Sequence, residues 1–316
     1  MDHPVVSVII PNYNHARYLE QRIESVLRQT NQNIEVVMLD DCSTDNSREI
    51  MESYRAHPLV KHIIYNELNS GSPFKQWEKG IALASGEWIW IAESDDYADY
   101  DFLETMLSSS SEHRTCGLLF CDSHIVTNNV VSNETFSSQR KARLGLNHWD
   151  NNYRNNGISE LCDYVLPYGA IHNTSAVLFK RDILVKANAF DISLHYMGDK
   201  YAFVKVLALS DIGYVNKPMN YYRASPDSKP KHTTDYLDYF REHFLIFDWV
   251  SKNLKSVDWI KINQAIRRNS EFALFTGWRK RKIELVWELR SINSMLLLKI
   301  LWFNFVRSLS KVISKR

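Results

Sequence analysis

The sequence predicts an α/β fold: a doubly wound, mostly parallel sheet followed by a helical C-terminal extension. Three observations predict it. Strand-like apolar runs at 5–10, 34–39 and 88–92 alternate with segments whose apolar residues recur at helical spacing. The run 88–92 is apolar at every residue rather than every second one, as expected of a strand buried on both faces of a parallel sheet. From about Tyr236 onward the pattern is helical only, and Gly277 is its single glycine.

In chain order, Val5 to Ile10 is β-branched and stops at Pro11, which makes it a first strand. Asn12-Tyr13-Asn14 forms the next loop, with Asn14 as a candidate helix cap. Leu19, Ile23, Val26 and Leu27 then mark a helix over 15–30, and 34–39 is the second strand. The turn from Asp40 to Ser47 is rich in capping residues, so Ser43 or Asp45 is expected to cap the helix that follows. Capping does not account for Asp40 and Asp41 standing directly at the strand end. A third strand (60–65), a turn at 69–73, a short helix carrying Phe74, Trp77 and Ile81, and the strand 88–92 complete this half. After a helix around Phe102 to Leu107 comes a strand at 116–121. Residues 122–168 are polar and Asn-rich and are expected to be irregular, either a functional loop or disordered. Strands at 176–179 and 212–215 flank a Gly198-Asp199 turn and an apolar helix with Phe203, Val206 and Leu207.

Composition narrows the classes. With 316 residues, 45% hydrophobic and 24% charged, the chain has room for one large or two ordinary globular domains. Its net charge of +1 hides a basic tail: residues 279–316 hold ten Lys and Arg against Glu284 and Glu288, a net +8. Cys42, Cys116, Cys121 and Cys162 form no CxxC pair, which argues against a zinc site or disulfide framework and for reduced thiols in a cytosolic protein. No signal peptide precedes the first strand, and no window reaches ~18 consecutive apolar residues. A nucleic-acid partner is not expected.

The segment Glu93-Ser94-Asp95-Asp96 follows the apolar run 88–92 directly. Carboxylates at the carboxyl end of a buried parallel strand lie where open α/β sheets bind ligands, and hard oxygen donors there suit Mg²⁺ or Mn²⁺. A solvated acidic loop is the competing reading of the segment taken alone.

Five motifs in order carry a resemblance to the family 2 glycosyltransferases, which have the GT-A nucleotide-sugar-binding fold. They are Val6-Ser7-Val8-Ile9-Ile10-Pro11-Asn12-Tyr13-Asn14, Asp40-Asp41-Cys42-Ser43-Thr44-Asp45, Gly80-Ile81-Ala82-Leu83-Ala84-Ser85-Gly86-Glu87, Glu93-Ser94-Asp95-Asp96 and Gly198-Asp199. The likeness covers roughly residues 4–225. It implies metal-dependent, inverting hexosyl or N-acetylhexosaminyl transfer from a nucleotide-diphosphate sugar, a UDP-sugar first of all, to a saccharide hydroxyl. By that resemblance Pro11, Asn12, Tyr13, Asn14 and Asp41 hold the nucleotide. Asp95 faces the ribose and the metal, and Asp96 is the main ligand of Mn²⁺ or Mg²⁺. Glu93 stands where many relatives have Asp. Asp199 takes the position of the base that deprotonates the acceptor, although Lys200 follows it where the family usually has Trp. A helix-capping role for Asp199 is the alternative. Lys75, Lys79 and Arg223 are candidate diphosphate partners, and His232 is a candidate late metal ligand. A sugar nucleotidyltransferase would carry a Gly-rich loop where Pro11-Asn12-Tyr13-Asn14 stands. A catalytically silent carbohydrate-binding or membrane-scaffold protein would not need both the acidic segment and Asp199.

The expected organisation is a catalytic domain over 1–234, with a nucleotide-sugar half (1–121) and an acceptor half (122–234), then a helical region over 235–316. Within 283–313 an apolar run rich in Trp, Phe and Leu is bracketed by basic residues and broken by Lys299 and Asn304. That pattern suits an in-plane interfacial anchor rather than a span. It predicts peripheral attachment at the inner face of the cell membrane and a lipid-linked saccharide acceptor in surface-polysaccharide synthesis. A helix pair that covers the catalytic domain or forms a homo-oligomer is the alternative.

Overall fold

The structure is a computed structural model. It describes residues 4–111, 115–224, 233–254, 257–258, 260–266, 286–299 and 301–302. Two compact units divide the chain: residues 1–157 with 171–225, and residues 158–170 with 226–316.

The first unit is built on one sheet. Its strands are β1 (Val6–Asn12), β2 (Ile34–Asp40), β3 (Val60–Tyr65), β4 (Trp88–Ile91), β5 (Tyr97–Ala98), β6 (Cys116–Thr127), β7 (Val130–Thr135), β8 (Tyr153–Asn155), β9 (Val177–Lys180) and β10 (Asp211–Arg223). The order is β3-β2-β1-β4-β9-β6-β10-β5, with β7 on β6 and β8 on β10. β3, β2, β1 and β4 are mutually parallel, as the strand-like apolar runs predict. β9 runs antiparallel to both β4 and β6, while β6 and β10 are parallel. The sheet is therefore mixed on this side, which hydrophobic periodicity cannot show because it carries no direction.

Helices cover both faces of the parallel half. They are α1 (Ala16–Leu27), α2 (Ser47–Ser53), α3 (Pro73–Leu83) and α4 (Phe102–Ser111). Val6, Val8 and Ile10 of β1 share one buried cluster with Leu19, Ile23 and Val26 of α1 and with Phe102 and Met106 of α4. The opposite side chain, Ile9, meets α3, where a Cβ on Gly80 would lie 2.5 Å from Ile9 Cγ2. Ser85-Gly86 ties the start of β4 to the strand beside it. Gly86 N donates to Ser7 Oγ at 2.7 Å, Ser7 Oγ donates to Glu35 Oε1 at 2.5 Å, and a Cβ on Gly86 would sit 2.5 Å from Ser7 N. The small-residue turn is thus required by close backbone approach.

Residues 122–168 are more ordered than their composition suggests. β6 runs on to Thr127, pairs with β7, and leads into α5 (Phe136–Leu144). Thr135 closes that helix with a capping box and Gly145 ends it in the left-handed conformation. α6 (Gly157–Glu160), a π turn at Leu161–Val165 and α7 (Leu166–Tyr168) follow. α8 (Arg181–Lys186) and α9 (Gly198–Leu207) complete the first unit. β10 is longer than the apolar run 212–215: it continues through Pro218 to Arg223 by way of register shifts on β6. In the second unit, α10 (Thr233–Asn253) and residues 260–266 and 286–299 are helical.

Candidate active site

The carboxyl ends of β1, β2 and β4 meet at one edge of the sheet. Asn12 pairs in register with Asp40, and Ala92 N donates to Ile9 O at 2.8 Å. A cavity of about 330 Å³ opens there, within the range of small-ligand sites. Pro11, Asn12, Tyr13, Asp41, Glu93 and Ser94 are among the residues that line it, whereas Asn14, Asp95, Asp96 and Arg223 are not. Tyr13 lines the cavity and leaves 46% of its surface open.

The loops around the cavity are cross-linked by buried hydrogen bonds. Asp40 is fully buried, accepting from Asn12 Nδ2 at 3.1 Å, Ser43 N at 3.0 Å and Arg48 Nε at 3.1 Å. It holds the turn and does not face the cavity. Asp41 Oδ1 accepts from Asn66 Nδ2 (2.6 Å), Ser70 N (2.9 Å) and Gln76 Nε2 (2.9 Å), and Oδ2 accepts from Ser70 Oγ (2.8 Å). Asp41 therefore organises the 66–76 loop, and the second lone pair of Oδ2 remains to accept from a ligand. Asn14 does not cap α1. Its backbone is left-handed (φ 56°) and its Oδ1 accepts from Thr44 N at 2.8 Å. Asp45 does the capping instead, for two helices at once: its Oδ2 accepts from Ala16 N at 2.9 Å and its Oδ1 from Ser47 N at 3.1 Å.

The acidic segment turns sharply after β4, with Asp96 N donating to Glu93 O at 3.1 Å. Asp96 is 3% exposed and accepts from Arg223 N (2.9 Å) and Asn173 Nδ2 (3.2 Å). Burial, reinforced by repulsion from Asp95, pushes Asp96 up to about 6. Burial also raises Asp95. Glu93 goes up to about 8 by burial and then by its two carboxylate neighbours, and its Oε1 is buried without a hydrogen bond. A carboxyl so raised is largely protonated at neutral pH, which sets Glu93 apart from Asp95 and Asp96, the residues read from sequence as metal ligands.

Two arginines brace this turn. Arg22 of α1 is completely buried, and its Nε donates to Glu93 O at 2.8 Å. Its desolvation outweighs its attraction to Asp96, Asp95 and Glu93, so it falls to about 10 and stays cationic. Arg223 Nη1 donates to Asp95 O at 2.5 Å while its guanidinium lies between the rings of Tyr18 (4.4 Å) and Tyr97 (4.8 Å). Arg223, read from sequence as a diphosphate partner, thus reaches the acidic turn as a brace.

Two other candidate cations are engaged in loop contacts. Lys75 Nζ donates to Ser70 O at 2.8 Å, and Lys79 Nζ donates to Asn66 Oδ1 at 2.7 Å; neither lines the cavity. His232 lies outside the described residues. Asp199 sits in the first turn of α9, where its Oδ1 accepts from Lys200 N at 2.6 Å, and it does not line the cavity. The glycine before it is needed for packing: a Cβ on Gly198 would lie 2.6 Å from the Phe74 ring of α3. Lys200 is pulled down to about 8 by burial, partly offset by Asp199.

Sequence reading missed Arg22, His15, Gln76 and Asn173. Arg22 had a signal: it falls three residues after Leu19 and four before Val26, on the apolar stripe of α1. His15 lines the cavity with Nδ1 2.9 Å from Ser94 Oγ. Gln76 and Asn173 are polar residues whose roles depend on partners distant in sequence.

Comparison with known proteins bears on the family and the fold. The family described as Glycosyl transferase family 2 matches residues 7–163. Glycosyltransferase GlyG of Streptococcus pneumoniae is 37% identical over 108 residues, 34% of this chain and 36% of that protein. The putative teichuronic acid biosynthesis glycosyltransferase TuaG of Bacillus subtilis is 38% identical over 117 residues, 37% of this chain and 46% of that protein. The matched region thus spans between a third and a half of these two relatives. The crystal structure of S. aureus TarS 1–349 in complex with UDP-GlcNAc superimposes with a TM-score of 0.70 at 18% identity, covering 92% of this chain and 82% of that one. On the family match, the order of its motifs and the fold, the chain belongs to glycosyl transferase family 2 and has the GT-A architecture.

Proposed function

We propose that this protein transfers a sugar from a nucleotide-diphosphate sugar, with UDP as the nucleotide, to a hydroxyl of a saccharide acceptor in cell-surface polysaccharide synthesis. The observation that carries the reading is the cavity at the ends of β1, β2 and β4, lined by Tyr13 and Asp41 and by Glu93 and Ser94 at the start of the acidic turn. The relatives support the setting: one is named for teichuronic acid biosynthesis, and TarS is named a poly(ribitol-phosphate) beta-N-acetylglucosaminyltransferase and has been crystallised with UDP-GlcNAc.

In this reading Tyr13 stacks on the base, and Asp41 accepts from its imide N–H while keeping the 66–76 loop in place. Asp95 and Asp96 fit a divalent cation: they are hard oxygen donors next to each other in one turn. Among the described residues no group of three His, Cys, Asp or Glu could hold an ion alone, so diphosphate oxygens and water would complete the shell. A cation bound there supplies Lewis-acid neutralisation of the departing diphosphate. Arg22 and Arg223 fix the turn, and Asp199 accepts the acceptor's hydroxyl proton, with inversion at the anomeric carbon. Residues 1–234 form the catalytic part, and 235–316 attach it to the inner face of the membrane, where the acceptor is lipid-linked. Among the described residues no helix is long and apolar enough to cross a membrane.

A thermal-shift screen with Mn²⁺ and a panel of nucleotides and nucleotide sugars tests the donor assignment. UDP and one or more UDP-sugars are expected to raise the melting temperature, and Asp41→Ala is expected to weaken that binding by roughly tenfold or more, the worth of a hydrogen bond to a charged group. A stabilising effect of GDP-sugars alone, or an Asp41→Ala variant that binds UDP normally, would contradict the assignment.

A further inference from the structure

We propose that helix 286–299 is a membrane-contacting surface that lies in the interfacial plane of an anionic bilayer. This deepens the membrane attachment proposed above and rests on that reading.

The helix has two apolar faces. One is used within its own unit. Leu289 and Leu296 are buried there, Asn293 Nδ2 donates to Asp248 Oδ1 of α10 at 2.8 Å, and Glu288 pairs with Arg241 of α10. Counting about 100° per residue, the opposite arc holds Trp287, Met295 and Leu298, which are 62%, 66% and 60% exposed. Leu301 and Trp302, also exposed, fall on the same arc when the register is continued. All five lie within about 120°, and the polar residues between them are Ser291 and Ser294. Single exposed apolar side chains are ordinary, whereas a contiguous row containing two tryptophans marks an interaction surface.

Charge selects the occupant. Arg290 borders the arc on one side and lies over the Trp287 ring at 5.2 Å; on the other side Glu288, paired with Arg241, stands between the arc and Lys299. A second copy of the chain would bring one +8 segment against another. An anionic leaflet reverses that sign, at ~1 kcal/mol for each basic residue near its surface. Tryptophan favours the headgroup level of a bilayer, and an apolar stripe edged by Lys and Arg is the pattern of a helix lying in that plane.

The test is co-sedimentation of the full chain with vesicles of phosphatidylcholine alone and of equimolar phosphatidylcholine and phosphatidylglycerol, at low and high salt. The chain is expected to pellet with the mixed vesicles and to be partly released by salt. The variant W287S/L298S/W302S is expected to bind about tenfold more weakly or worse, since burying even one such side chain is worth a decade of affinity. Its melting temperature and its response to UDP should match the wild type. Wild-type protein that stays in solution with both vesicle types would overturn the proposal, as would a triple variant that binds as well as wild type. A concentration-dependent dimer that is lost in the triple variant, without vesicle binding, would assign the face to a second copy instead. Vesicle binding without any response to UDP would leave this surface standing and count against the donor site.

Discussion

Asp96→Asn is expected to reduce sugar transfer by about 10³-fold or more. The substitution keeps the size of the side chain and leaves an oxygen to accept from Arg223 N, but it removes one of the two charges assigned to the cation. Neutralising a departing diphosphate is worth several kcal/mol, and each ~1.4 kcal/mol is a decade in rate. The fold should survive, because Asp96 is held by neutral hydrogen bonds as well as by charge and is already raised to about 6 by burial and Asp95. Steady-state rates for wild type and variant, each with Mn²⁺ and with a chelator, check this. Wild-type activity that ignores the chelator, together with an active Asp96→Asn, would remove the cation from the account.

Asp199→Asn is expected to lower turnover by roughly 10²–10⁴-fold, the usual worth of a positioned general base. Asparagine can still accept from Lys200 N, so the first turn of α9 should be retained while the proton acceptor is lost. Donor affinity should be nearly unchanged, because Asp199 does not line the donor cavity. Measuring kcat and KM for donor and acceptor separately makes the distinction. A variant that loses donor affinity and keeps turnover would make Asp199 a capping or diphosphate-binding residue.

The parallel half of the fold was legible because burial on both faces writes itself into the sequence. β4 is an unbroken apolar run, β1 and β2 are each interrupted before their carboxyl ends by only one polar residue, Ser7 and Glu35, and all three lead into polar residues at the cavity edge. The antiparallel setting of β9 was not legible, since a short buried strand reads the same in either direction. β7 and α5 were missed because β7 (Val-Val-Ser-Asn-Glu-Thr) is mostly exposed and α5 is polar, so neither carries a strong apolar period. β10 was read only as far as Val215, because Pro218 interrupts the pattern; the structure carries the strand past it by two register shifts on either side of Pro218. In the site, the types and places of Asp41, Asp95 and Asp96 followed from the strand ends. Their partners did not: Arg223 and Asn173 reach Asp96 across 127 and 77 residues, distances that no local pattern encodes.

The most direct test of the central claim, that this chain is a nucleotide-sugar-dependent glycosyltransferase, is release of nucleotide diphosphate from a panel of nucleotide sugars in the presence of Mn²⁺. Wild-type protein should release UDP from at least one UDP-sugar, by transfer or by slow hydrolysis, and Asp96→Asn and Asp199→Asn should both be deficient. Binding of UDP-sugars with no release from any donor, even with membrane extracts supplied as acceptor, would contradict it.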